Sequence, residues 1–117
     1  NYLKKEESIR LIKWTDSQGI KLVVDESFAD FSDEPDNSLI EQKFIETYSR
    51  LYVMKSISKS YGVPGLRLGI LVSSDTETIA AMKKDVAIWN INSFGEYYLQ
   101  IAPSCNSNSH TTSKYCK

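Results

Sequence analysis

A lysine, two serines and an arginine lie close together in the segment "SISKSYGVPGLRLG". Ser56 and Ser58 precede Lys59, and Arg67 follows the lysine after a turn-forming proline and glycine. Two hydroxyl groups and a guanidinium fork suit the binding of a fixed phosphate group. A lysine beside such a group, and across from a carboxylate, favours Schiff-base chemistry, in which the side-chain amine attacks a carbonyl carbon.

The carboxylate that could face this lysine is Asp25, at the end of the run "IKLVVD". This run and "RLYVMKS", which leads into Ser56, are short, apolar and β-branched, and each predicts a strand buried on both faces. Ligands of open α/β sheets bind beyond the carboxyl ends of the strands, so we expect Asp25 and Lys59 to share a pocket. Their spacing alone also permits an aspartate that caps a turn and a lysine that is merely solvated.

Helical patterns alternate with these strands. "KKEESIRLIKWTDSQG" predicts a helix that ends near Gly19, and "LRLGILVSS" predicts a third strand. Capping boxes predict the starts of three more helices, the last of which should stop at Pro103: Ser38 with Glu41, Ser74 with Glu77, and Ser93 with Glu96. The order indicates an α/β layered fold. Three strands are few for a sheet covered by helices on both faces, so we expect a piece of something larger.

Composition excludes several classes of function. The net charge of −1, with 25% charged and 41% hydrophobic residues, gives no bulk attraction to nucleic acids or membrane surfaces. No apolar run approaches the roughly 20 residues of a membrane span. Both cysteines lie near the end of the chain, which favours a cytoplasmic protein.

The last segment differs from the rest. Residues 103–117 contain few large apolar side chains, and we predict a disordered or non-native tail. Cys105, His110 and Cys116 could be considered as metal ligands. The usual paired-cysteine spacing and a fourth ligand are both missing, so a zinc site is disfavoured and no metal is expected.

The segments "VVDESFADF" and "SISKSYGVPGLRLG" resemble the pyridoxal-phosphate-dependent aminotransferases of fold type I, class I/II, and in particular the histidinol-phosphate aminotransferases and threonine-phosphate decarboxylases. The resemblance spans about Leu3 to Ile101. It implies that residues 1–102 are the central part of a three-layer αβα large domain, which binds the cofactor pyridoxal 5'-phosphate. It also implies amino-acid and 2-oxo-acid substrates and, for the full-length protein, a homodimer with sites at the subunit interface.

The resemblance assigns roles to individual residues. Lys59 matches the lysine that forms the Schiff base and later moves the α-proton of the substrate. Asp25 matches the carboxylate that keeps the pyridine nitrogen protonated, so that the ring can accept electrons. The phosphate-binding positions of the family match Ser56, Ser58 and Arg67.

Other positions depart from the pattern. Phe28 occupies the place of a tyrosine whose hydroxyl bonds the phenolic oxygen of the cofactor in many aminotransferases, although phenylalanine is acceptable in the decarboxylases. Without that hydroxyl, we expect the Schiff base to hold its proton to higher pH. Asn90 and Asn92 lie where the chain of the family returns to the active site, and helix entry or capping is the alternative role for them.

Three functions follow from the resemblance. The first is transfer of an amino group between an amino acid and a 2-oxo acid through Lys59. The second is decarboxylation of a phosphorylated amino acid, and the third is a non-catalytic relic or packing module. The 117 residues contain neither the N-terminal phosphate loop and stacking ring of the family nor its C-terminal small domain. We therefore expect the isolated fragment to bind cofactor weakly and to turn over nothing.

Overall fold

The helices and strands fall in two units, Asn1–Val86 and Ala87–Lys117. The computed structural model describes residues 3–33, 38–86 and 90–105. The first unit contains the following helices and strands in chain order: α1 Lys5–Ser17, β1 Leu22–Asp25, α2 Gln42–Thr47, β2 Leu51–Lys55, α3 Ile57–Ser60, β3 Ile70–Val72 and α4 Thr76–Asp85. Two 3-10 turns, Ala29–Phe31 and Pro64–Leu66, precede α2 and β3. The second unit contains α5, Ser93–Cys105.

The three strands form one sheet in the order β1-β2-β3. β1 and β2 are parallel, with Asp25 opposite Met54, and β2 and β3 are antiparallel, with Lys55 opposite Ile70. The carboxyl ends of β1 and β2 and the amino end of β3 therefore lie at the same edge. This mixed sheet and its helices confirm the predicted α/β class.

One face of the sheet supports the hydrophobic core. The fully or nearly fully buried members of that core come from α1, α2, β2 and the segment before α2: Ile12, Leu39, Ile45, Leu51 and Val53. Burial of each such side chain is worth about 1.5–3 kcal/mol. The glycine predicted to end α1 does so, because Gly19 adopts a positive φ of 70° two residues after the helix.

The other face of the sheet is partly open. Val23 is 59% exposed, Met54 42% and Leu71 40%. The prediction that both strands are buried on two faces is therefore wrong for β1 and incomplete for β2. The main core cluster lies on the other face, whereas on this face a cavity lies beside the buried Tyr52.

Two of the predicted helix starts are displaced. α2 begins at Gln42, because the hydroxyl of Ser38 donates to the carboxylate of Glu26 at 2.8 Å and does not cap a helix. α4 is capped by Asp75, one residue after the predicted Ser74, and the carboxylate of Asp75 accepts the N–H three residues further on at 3.0 Å. α4 also ends at residue 85, short of the predicted end at residue 89, which lies outside the described residues.

In the second unit, α5 begins at the predicted serine but has a different cap. The side chain of Asn92 accepts the N–H of Gly95 at 2.8 Å, which confirms a capping role for this asparagine. The predicted stop at Pro103 is wrong, since α5 continues to Cys105. A proline this close to the end of a helix removes only one backbone hydrogen bond. The remainder of the predicted tail, residues 106–117, lies outside the described residues.

Candidate active site

A cavity of about 810 Å³ extends from the open face of the sheet to the edge where β1 and β2 end. Its floor is apolar, with Val23, Met54 and Leu71. Five of the six site residues predicted from the sequence line it together: Asp25, Ser56, Ser58, Lys59 and Arg67. The antiparallel direction of β3 explains how Arg67 reaches this edge, since Arg67 lies three residues before that strand.

Asp25 is the last residue of β1 and is held as an anion. The N–H of Ser27 donates to its Oδ1 atom at 2.8 Å. Hydrogen bonds from the hydroxyl and the N–H of Ser27, together with the positive charge of Lys59, lower the pKa of the Asp25 carboxyl group below its ordinary value. An ionised carboxylate therefore faces the cavity at neutral pH.

Lys59 lies on α3, a single helical turn that follows β2, and its side chain is exposed. Its Nζ atom lies 4.4 Å from the centroid of the Phe28 ring. Such a cation–π contact is worth about 0.5–1 kcal/mol at an exposed site. Phe28 therefore contacts the lysine, although it is not among the residues that line the large cavity.

Ser27 connects the two segments that bear the carboxylate and the amine. Besides bonding Asp25, its Oγ atom accepts the N–H of Ser56 at 3.2 Å. Ser27 is not among the site residues predicted from the sequence. The signal available was a serine two positions after an aspartate at a strand end, which is the spacing of an Asx turn.

Ser58 has different surroundings from Ser56. It is only 2% exposed, and its Oγ atom accepts the N–H of Leu68 at 2.6 Å and lies 3.2 Å from the carbonyl oxygen of the same residue. This hydroxyl group therefore joins α3 to the segment before β3. Its predicted contact with a phosphate stays a prediction.

Arg67 has a left-handed backbone, with φ 54° and ψ 41°, at the end of the 3-10 turn Pro64–Leu66. This conformation costs a residue with a Cβ atom about 1–2 kcal/mol. Two residues later, a Cβ atom on Gly69 would lie 3.3 Å from the carbonyl oxygen of Lys55. The close approach that the sequence indicated for Gly69 is therefore an approach to the backbone of β2.

A polar network lies at the opposite end of the same cavity. The hydroxyl of Tyr52 donates to Oδ2 of Asp75 at 2.5 Å, and Nζ of Lys21 donates to the same atom at 3.1 Å. Thr78 donates to it as well, at 2.7 Å. Hydrogen bonds from Tyr52, Thr78 and Lys21 hold the pKa of the Asp75 carboxyl group far below its ordinary value. The network fixes the start of α4 against β1 and β2.

The donor set at the sheet edge suits a small planar compound with a phosphate, a basic ring nitrogen and a carbonyl carbon. Ser56 and Arg67 can hold the phosphate, Asp25 can pair with a protonated ring nitrogen, and Lys59 offers a primary amine. The cavity lies within the range of about 300–1,000 Å³ that is usual for such ligands. The described residues contain no cluster of three or more histidines, cysteines or carboxylates that could hold a metal ion, and none of their helices is long and apolar enough to cross a membrane.

Comparison with protein families gives a match over most of the chain. Residues 2–104 match the family described as aminotransferase class I and II. The CMP-5'-(3-aminopropyl)phosphonate synthase of Streptomyces rubellomurinus is 40% identical over 84 residues, which are 72% of this chain and 13% of that protein. The threonine-phosphate decarboxylase of Salmonella typhimurium is 36% identical over 91 residues, which are 72% of this chain and 23% of that protein.

Among solved structures, the histidinol-phosphate aminotransferase from Clostridium acetobutylicum matches with a TM-score of 0.69 and 29% identity. The match covers 82% of this chain and 28% of that one. The chain thus spans less than a third of the length of each of these proteins.

Proposed function

We propose, since this chain belongs to the class I and II aminotransferase family, that it anchors pyridoxal 5'-phosphate in an aminotransferase and that Lys59 condenses with the cofactor. Enzymes of this family use that cofactor. One observation carries the proposal: Asp25 and Lys59, which are 34 positions apart in the sequence, line one cavity.

Pyridoxal phosphate, when bound, supplies an aldehyde that condenses with amines and a protonated ring that accepts the electrons of a broken α-bond. This chemistry requires an ionised carboxylate beside the protonated ring nitrogen, and Asp25 is ionised. Because its pKa is lowered, the carboxylate stays ionised and can hold a proton on a ring nitrogen at neutral pH. An Asp25→Asn variant should therefore lose about tenfold to a hundredfold in cofactor affinity, the usual worth of a hydrogen bond to a charged group.

Lys59 is exposed to the cavity on a short helix, so its Nζ atom has room to reach both the cofactor and the substrate. When it is not bonded to the cofactor, the Nζ atom of Lys59 would take the proton from the α-carbon of the substrate and, in transamination, deliver it to the carbon next to the cofactor ring. Ser56 and Arg67 would hold the phosphate of the cofactor. Ser58 supports this arrangement through its bonds to Leu68.

Decarboxylation of a phosphorylated amino acid is the second candidate. Two observations favour it: Phe28 stands where many aminotransferases have tyrosine, and the relatives include a threonine-phosphate decarboxylase. Of the bonds at the α-carbon of the substrate, the one that breaks is the one held perpendicular to the cofactor ring. The residues that would orient the substrate in this way lie outside the 117 residues. A homodimer and a cytoplasmic location remain part of the proposal for the protein at its natural length.

Spectroscopy tests the role of Lys59. The protein at its natural length, mixed with pyridoxal phosphate, should develop a visible absorbance band that the Lys59→Ala variant lacks and that the Lys43→Ala variant keeps. Lys43 lies on α2 and is exposed, so it serves as a matched control. An equal band in the Lys59→Ala protein would contradict the proposal.

Product analysis separates the two reactions. L-histidinol phosphate with a 2-oxo acid should yield an exchanged amino group if the protein is an aminotransferase. L-threonine O-3-phosphate should release carbon dioxide if it is a decarboxylase. A protein that binds the cofactor through Lys59 but catalyses neither reaction with a broad panel of amino acids would favour the non-catalytic alternative.

A further inference from the structure

We propose that an ion pair between Lys55 and Asp30 positions two segments relative to each other: the segment that follows Asp25 and the segment that bears Lys59. The Nζ atom of Lys55 lies 2.5 Å from Oδ1 of Asp30, and the lysine is only 5% exposed. The inference rests on the proposed function, because the distance that the pair would set is the one between Asp25 and Lys59.

The pair joins the two segments close to their reactive residues. Asp30 lies five residues after Asp25 in the turn Ala29–Phe31, and Lys55 lies four residues before Lys59. The hydroxyl of Ser60, the residue after Lys59, donates to the carbonyl oxygen of Ser56 at 3.4 Å. The bond from Lys55 is therefore the one by which Asp30 holds the lysine-bearing segment. Burial tends to raise the pKa of Asp30, but its interactions with Lys55 and Ser60 leave it lowered.

Strand alternation separates the side chain of Lys55 from that of Asp25. Side chains alternate along β2, and Lys55 follows Met54, which lies on the open face with Asp25. The Lys55 side chain therefore lies on the same face of β2 as Leu51 and Val53 of the core. Lys55 also lines the cavity, but its Nζ atom is bonded to Asp30, so we assign the pair a positioning role rather than a catalytic one.

Neutral hydrogen bonds join the same two segments. The N–H of Glu26 donates to the carbonyl oxygen of Met54 at 2.8 Å, and the N–H of Ser56 donates to Ser27 at 3.2 Å. The ion pair adds a charged contact at the point where the segments leave the sheet. A cofactor bound between Asp25 and Lys59 requires both ends at a fixed separation, and small displacements of reacting groups are costly.

The decisive variant is Asp30→Asn in the protein at its natural length. If the pair positions the site, this variant should bind pyridoxal phosphate about tenfold more weakly, which is the loss of one charged hydrogen bond. If Lys55 instead contacted the phosphate directly, removal of the competing carboxylate would tighten binding. If Asp30→Asn binds pyridoxal phosphate as tightly as the wild type or more tightly, the inference is overturned.

Two further variants separate position from stability. Lys55→Arg retains the charge and should bind the cofactor within about threefold of the wild type. The double variant Lys55→Met with Asp30→Leu replaces the buried ammonium group and the 41% exposed carboxylate by apolar groups, so no buried charge is left unpaired and the cofactor-free protein should keep its thermal midpoint. Its cofactor affinity should nevertheless remain about tenfold lower. Wild-type affinity in the double variant would show that the pair serves stability only, and would overturn the inference.

The control is Glu41→Gln, which removes the carboxylate from the exposed pair with Lys5, 2.8 Å long and remote from the cavity. It should change neither the thermal midpoint nor cofactor affinity. A wild-type protein that does not bind pyridoxal phosphate through Lys59 would contradict the proposed function, and this inference with it. A wild type that binds, with all variants equal to it, contradicts the inference alone.

Discussion

The ammonium group of Lys59 lies over the ring of Phe28, 4.4 Å from its centroid. Phe28 comes three residues after Asp25, so the segment that delivers the carboxylate also delivers an aromatic face to the amine. A second ring, Phe31, lies 6.2 Å from Phe28. The ammonium group of Lys59 is therefore next to an apolar ring that offers no hydrogen-bond donor.

The Phe28→Tyr variant tests the consequence for the cofactor. A hydroxyl group at this position should donate to the phenolic oxygen of the cofactor and stabilise its negative charge. The nitrogen atom that joins Lys59 to the cofactor should then lose its proton at a lower pH, because its pKa is lower than in the wild type. Spectrophotometric pH titration of the protein at its natural length measures this pKa. Phe31→Tyr is the matched control and should leave it unchanged, whereas an unchanged pKa in Phe28→Tyr would reject the hypothesis.

Ser56 and Ser58 should respond differently to replacement by alanine. Ser58→Ala removes the hydroxyl that accepts the buried N–H of Leu68, whereas the carbonyl oxygen of Leu68 still accepts the N–H of Ser58. The substitution should therefore reduce the free energy of unfolding by about 1–3 kcal/mol. Ser56→Ala should leave the free energy of unfolding nearly unchanged and weaken binding of pyridoxal phosphate.

Urea unfolding and cofactor titration of both variants give the two quantities. A Ser58→Ala protein with wild-type stability and weakened cofactor binding would show that this hydroxyl contacts the phosphate, as the family resemblance implies. Equal effects of both substitutions on stability would contradict the distinction drawn from their surroundings.

Asp75 should make stability depend on pH. Its pKa is lowered in the folded protein, so its carboxylate stabilises the fold above its unfolded pKa of about 3.9. That contribution is lost as the pH falls through the lower, folded-state pKa. Asp75→Asn should therefore have a lower thermal midpoint than the wild type at pH 7, and the difference should shrink below about pH 4.

Asp85→Asn is the control for this prediction. Asp85 lies at the end of the same helix, where a negative charge opposes the helix dipole, so its removal should leave the midpoint unchanged or slightly higher. Thermal unfolding at several pH values between 3 and 7 gives the comparison. A deficit in Asp75→Asn that stays the same at every pH would mean that the charge of Asp75 contributes nothing.

A shared cavity for Asp25 and Lys59 could be predicted from sequence, because strand geometry permits it and the neighbouring Ser56, Ser58 and Arg67 together with the family resemblance favour it. Two buried runs that each end in polar residues bring those residues to one edge when the strands are parallel, as they are here. The pair of Lys55 and Asp30 could not be predicted in this way. It joins side chains 25 residues apart through a turn, and no periodic pattern specifies such a contact.

Predictions from local sequence patterns were wrong or incomplete where contacts between distant segments determine the structure. Ser38 has the pattern of a helix cap, but the buried carboxylate of Glu26 is a stronger partner for its hydroxyl, and α2 begins later. The apolar run of β1 predicted two buried faces, but one face is exposed. An apolar sequence shows that a strand can be buried, but it does not show which other segments cover it. Ser58 matches a family position, but its burial beside Leu68 depends on how the next segment folds back.

Reductive trapping identifies the lysine that bonds the cofactor, which we propose is Lys59. The protein at its natural length is incubated with pyridoxal phosphate, reduced with borohydride, digested, and its peptides are examined by mass spectrometry. We expect one predominant phosphopyridoxyl adduct, on Lys59, and no adduct at this peptide in Lys59→Ala. A predominant adduct on another lysine, with Lys59 unmodified, would contradict the proposed role of Lys59.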